Sequence, residues 1–130
     1  MWKAHKILCS VALLALSAEA AADAPAEQFD LICKAPKEQE HYRIDLARNE
    51  WCYGKCEVVQ KIANVTSGMI SLHDHQPTHA RDARYFNQIN RVTGEWHWFN
   101  HTPGSLSMMN VQGTCEPAPF SGIISGPTKF

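Results

Sequence analysis

The chain reads as an all-β protein, a single-domain antiparallel meander of about eight short strands closing as a small up-and-down barrel or a sandwich. Three observations predict this. Apolar and polar residues alternate over short runs, and no stretch after residue 22 keeps a helical period. Turn residues punctuate those runs at short intervals. Cysteines stand on the first and last runs, which become neighbours in a meander that closes on itself.

Residues 1–22 have the order of a cleavable export signal. Lys3 and Lys6 are basic, Ile7 to Leu16 is an apolar run too short to span a bilayer, and the small residues Ala18 to Ala22 offer the cleavage site. Cys9 lies within the apolar run without the small residues that precede a lipoprotein cysteine. Cleavage leaves 23–130 as one disulfide-stabilised β-domain with no transmembrane segment. The expected location is the periplasm or the exterior, and the expected state is a monomer. The formal net charge of −1, with no basic run, gives no electrostatic footprint for nucleic acid.

The elements follow in chain order. Phe29, Leu31 and Cys33 share one face of the first run, and Tyr42, Ile44 and Leu46 share one face of the second. Ala47 to Glu50 forms a turn, from which Trp51-Cys52-Tyr53 returns. Val58 to Val65 alternates poorly and suits a strand or a short helix. Thr66-Ser67-Gly68 is a hairpin tip before Met69 to Leu72, with Gly68 free to take positive φ. Tyr85 to Val92 and Glu95 to Phe99 flank Thr93-Gly94 as the clearest hairpin, with Trp96 and Trp98 on one face and His97 and Phe99 on the other. Leu106 to Cys115 is the last strand. Pro117, Pro119 and Pro127 then break regular structure, so an irregular tail is expected from about residue 117.

Beyond the export signal stand Cys33, Cys52, Cys56 and Cys115, and four cysteines allow three pairings. Cys52 and Cys56 bracket a tight turn, while Cys33 and Cys115 lie on strands that meet on closure. The expected pairs are therefore Cys33–Cys115 and Cys52–Cys56. Trp51-Cys52 is no redox motif, because three residues separate Cys52 from Cys56 and no βαβ unit surrounds them.

Two groups of residues are candidate sites. His73, His75 and His79 form the one cluster with metal-like density, and three imidazoles with an open position suit zinc. Trp96, Trp98, Tyr85 and Phe86 are candidates to line a ligand cavity, since small barrels sometimes enclose an apolar molecule. There is no nucleophile elbow, phosphate loop or carboxylate pair of recognisable spacing.

Certain residues carry a resemblance. They are Phe29-x-Leu31-x-Cys33, Tyr42-Arg43-Ile44-Asp45-Leu46 with Trp51-Cys52 and Cys56, Arg91-x-Thr93-Gly94, and Gly113-Thr114-Cys115-Glu116-Pro117-Ala118-Pro119-Phe120-Ser121-Gly122. In these the chain resembles a functionally uncharacterised set of small exported proteins of alphaproteobacteria, especially sphingomonads. The resemblance implies export and the cysteine framework, brings no catalytic residue, and does not include the His73–His79 cluster. The expected function is a non-enzymatic exported β-domain binding a small molecule, a peptide or an envelope protein, one version being an enzyme inhibitor. The alternative is a periplasmic metal-binding protein using the histidines.

Overall fold

The computed structural model describes residues 26–123. Residues 1–25, on which the expected export signal and Cys9 fall, and residues 124–130 lie outside the described residues. Within them the chain forms nine strands and no helix. These are β1 (Gln28–Lys34), β2 (Gln39–Asp45), β3 (Glu50–Tyr53), β4 (Gln60–Lys61), β5 (Asn64–Val65), β6 (Met69–His75), β7 (Arg84–Asn90), β8 (Glu95–His101) and β9 (Met108–Ala118). The weakly alternating stretch from Val58 to Val65 accounts for the extra strand, because it divides into β4 and β5.

All pairings are antiparallel, in one curled sheet of order β4-β3-β2-β1-β9-β8-β7-β6-β5. The first and last strands are neighbours at its centre, with Cys33 directly opposite Cys115. The two edges, β4 and β5, are consecutive in sequence. Between them Ile62 N–H donates to Asn49 on the β3 side (3.2 Å), and Ala63 N–H donates to Ser71 on the β6 side (2.9 Å). One short segment thus ties both edges and gives the half-barrel its curl. It also satisfies edge groups that would otherwise template aggregation.

Curling turns the alternating apolar faces onto one core. Leu31, Ile44, Trp51, Ile62, Ile70, Leu72 and Trp96 are all buried there. The Cys33–Cys115 bond lies within this core, and the Cys52–Cys56 bond closes the turn after β3. Gly54 and Cys56 both take positive φ in that turn (57° and 56°).

Three local features differ from the reading of the sequence. Gly68 does not adopt positive φ; the hairpin tip is held instead by Thr66 Oγ1, which accepts from the Gly68 and Met69 N–H groups. Leu106 is exposed, and β9 starts at Met108. Pro117 does not end β9, which runs to Ala118. Cys115 N–H points to Gly94 on the β8 side, so two residues on the absent Pro117 N–H faces the same way, past the start of β8. No ladder bond is lost there, and proline is tolerated.

Candidate ligand-binding site

One end of the curled sheet opens into a cavity of about 410 Å³, within the range that holds small ligands. Alternation and register bring its lining together. Tyr42 lies opposite Tyr53, Trp51 opposite Gln60, Asn87 opposite both His73 and Trp98, and Tyr85 opposite Asn100. All of these line the cavity, with Glu40 beside them.

His73 reaches the cavity only through a β-bulge. The β6–β7 register passes from Ser71↔Gln88 to His73↔Asn87, leaving Leu72 as the extra residue. Beyond a bulge the inward and outward positions exchange. Leu72 is fully buried, while His73 and His75 pair with inward positions on β7. His73 meets Trp51 edge-on at 5.1 Å and Tyr85 edge-on at 5.7 Å, and His75 stacks on Tyr85 at 4.8 Å. Burial pulls the His73 pKa down, toward the neutral imidazole.

The floor is a buried hydrogen-bond relay. Asn87 Nδ2 donates to the Tyr42 hydroxyl (2.8 Å), and Asn87 Oδ1 accepts from Trp96 Nε1 (2.9 Å). Trp51 Nε1 donates to the Lys61 carbonyl (3.2 Å), so both buried indoles are satisfied. Burial pushes the Tyr42 pKa well up and keeps the phenol protonated. Tyr42, Trp51 and Asn87 are nearly fully buried at the floor, whereas Tyr53 and Tyr85 are exposed at the rim.

Of the residues expected to line a cavity, Trp98 and Tyr85 do so. Trp96 does not. It is 1% exposed and packs beneath the floor, 6.3 Å from the Trp98 ring. Phe86 is on the opposite face of β7, as alternation requires of a residue next to Tyr85. There it stacks on Phe99 at 5.4 Å and meets His97 at 4.8 Å, with the Arg84 guanidinium 5.4 Å above it. The sequence reading omitted Tyr42, Trp51, Tyr53, Glu40, Asn87 and Asn100. Their strand parity was available, but not which end of the sheet stays open.

His73, His75 and His79 do not converge. His79 sits in the exposed 76–83 loop with Thr78 and Asp82, where its Nδ1 lies 3.0 Å from Thr78 Oγ1. Among the described residues no three His, Cys, Asp or Glu side chains are placed to share a metal ion.

A second polar cluster brings Asp, His and Ser together without forming a catalytic set. The buried Asp30 carboxylate accepts from His41 Nε2 (2.6 Å), Ser121 Oγ (2.6 Å) and Ser121 N–H (3.1 Å). Both His41 and Ser121 donate to the same carboxylate, so no imidazole activates the hydroxyl. The cluster instead anchors residues 119–123 across β1 and β2, helped by Arg43 Nη1 donating to the Gly122 carbonyl (3.0 Å).

Burial raises the Asp30 pKa, but the two Ser121 bonds and His41 outweigh it, and the net shift is downward. Asp45 behaves likewise, its burial outweighed by the Gln28 and Arg48 bonds. A carboxyl depressed in the folded state stabilises the fold above its unfolded pKa of about 4 and loses that contribution as pH falls through the folded value. Urea midpoints should therefore be level from pH 7 to pH 5 and drop below pH 4. Asp30→Asn should cost about 2 kcal/mol at pH 7 and flatten that acid drop. An equally steep drop in the variant would remove Asp30 from the account.

No protein-family model, curated protein or solved structure matches this chain.

Proposed function

We propose that the chain is an exported, non-enzymatic binding domain of the periplasm or cell exterior, whose small-molecule ligand enters the open end of the curled sheet. The observation that carries this reading is the cavity itself: a volume of about 410 Å³ with six aromatic rings on its lining. An apolar pocket with a few fixed polar groups is the usual form of a small-molecule site. The Tyr42–Asn87–Trp96 relay supports it further, because a hydrogen-bonded floor preorganises the walls above it. Glu40, Tyr42, Tyr53, His73 and Tyr85 are the ionisable groups of the lining, and among the described residues no side-chain hydrogen bond joins any two of them into a nucleophile–base pair. The two disulfides favour an oxidising compartment.

A thermal-shift panel of organic cations, neutral sugars, aromatic acids and aliphatic amides tests this reading. A true ligand at a hundred times its Kd adds about 2.7 kcal/mol, a rise in Tm on the order of 10 °C. It should also perturb the fluorescence of Trp51 and Trp98. At the same ligand concentration both effects should fall by about half or more in Trp98→Ala. Silence of the folded wild-type protein across the whole panel would sink the proposal.

A further inference from the structure

The cavity combines one formal charge with several ring faces, and that combination selects a chemistry. Glu40 is its only acidic lining residue, and no Lys or Arg lines it. Among the described residues no ion pair involves the Glu40 carboxylate, and no side chain donates a hydrogen bond to it. Burial, with the Glu38 charge added, pushes the Glu40 carboxyl up from its ordinary range. Its charged form is thus poorly compensated by the protein, and a cation beside it would lower that cost. His73, the one imidazole on the lining, is held toward neutrality by burial and presents a ring rather than a charge.

The rings are arranged like adjoining walls. The His73 ring stands at 83° to Trp51 and at 79° to Tyr85, and Tyr53 and Trp98 continue the lining. A cation over such faces is attracted by their quadrupoles, more strongly as it loses water. Alkylation decides which cation. A primary ammonium must give up water at three N–H groups and find acceptors for them; the Asn87 oxygen is committed to Trp96, which leaves the Glu40, Gln60 and Asn100 oxygens to supply them. A quaternary ammonium carries no N–H and needs only ring faces and a counter-charge.

The geometry points to a trimethylammonium group as the ligand class, seated against the aromatic lining that Trp51, Tyr53, Tyr85 and Trp98 share, with Glu40 on the same lining as its counter-charge. This rests on the binding reading above and names its substrate class. The same group occurs as free choline and as the phosphocholine head of a lipid.

Calorimetric titration of the disulfide-intact protein with choline, phosphocholine and 3,3-dimethylbutan-1-ol tests the assignment, the alcohol being the neutral carbon isostere of choline. Choline should bind about tenfold or more tightly than the alcohol. Glu40→Gln, which breaks no hydrogen bond, should cut that preference at least about fivefold, and Trp98→Leu should cut choline affinity about tenfold. Phosphocholine tighter than choline identifies a lipid head as the source; the reverse order identifies free choline. Equal binding of alcohol and choline, or an unchanged preference in Glu40→Gln, overturns the cation assignment and leaves the cavity a binding site. If neither choline nor phosphocholine binds, the assignment is wrong. If the wider ligand panel is silent as well, the binding reading falls with it.

Discussion

Replacing Cys33 and Cys115 together by serine is expected to lower the melting temperature by on the order of 20 °C. The bond links residues 82 apart in sequence, so it removes a large loop-closure entropy from the unfolded chain, worth about 4 kcal/mol in the chain-entropy model. It also joins β1 to β9 at the centre of the sheet, where the chain's two ends meet. That pairing has the longest sequence separation in the fold and is the costliest to close without a link. The Cys52–Cys56 bond spans only four positions, and its double serine variant should lose about 2 kcal/mol. The ordering of the two losses is the test. Thermal melts in which the short link matters as much as the long one would defeat the assignment of Cys33–Cys115 as the main staple.

Gly113→Ala is expected to destabilise the fold by about 3 kcal/mol or more, an effect out of proportion to one methyl group. At this point β9 passes from β8 to β1: its pairing with β8 ends at Glu95↔Thr114, and its pairing with β1 begins at Lys34↔Thr114. A Cβ on Gly113 would overlap the Lys34 carbonyl oxygen, lie 2.8 Å from its carbon and 3.0 Å from the Ala35 Cβ. The obstruction is backbone, which cannot rotate away as a side chain can. Gly68→Ala is the control, since a Cβ there meets nothing within 4 Å and its φ is not positive. Denaturant titration should place Gly68→Ala within about 0.5 kcal/mol of wild type. A Gly113→Ala protein of wild-type stability would mean that β1 and β9 separate at this handover.

Much of the fold was legible in the residues. Alternation at Phe29-Leu31-Cys33 and Tyr42-Ile44 marked the buried faces, and Thr93-Gly94 marked the hairpin, where Gly94 does take positive φ (76°). Less was legible from Val58 to Val65, because two-residue strands leave no period to detect. Their pairing is set by the β3 and β6 edges they join. Pro117 misled for a related reason. A proline ends a strand only where its missing N–H would have had a partner, and partners belong to the sheet rather than the sequence.

The candidate site was harder to read. Trp98 and Tyr85 could be nominated from strand parity, but the same reasoning could not separate Trp98 at the cavity from Trp96 beneath it, since both share one face. Nor could spacing alone show that His79 would remain in its loop with Thr78 and Asp82.

The sequence by itself determined an all-β chain, the faces of its regular strands and the pairing of its cysteines. These follow from side-chain period and from the closure of a meander, both properties of the chain order. Only the tertiary structure decided where that chain has room for a ligand. The bulge at Leu72 brings His73 and His75 to the cavity side, the 60–65 segment curls the edges together, and one end stays open beneath a ring of aromatic side chains. Each depends on how distant strands meet, which local alternation does not encode.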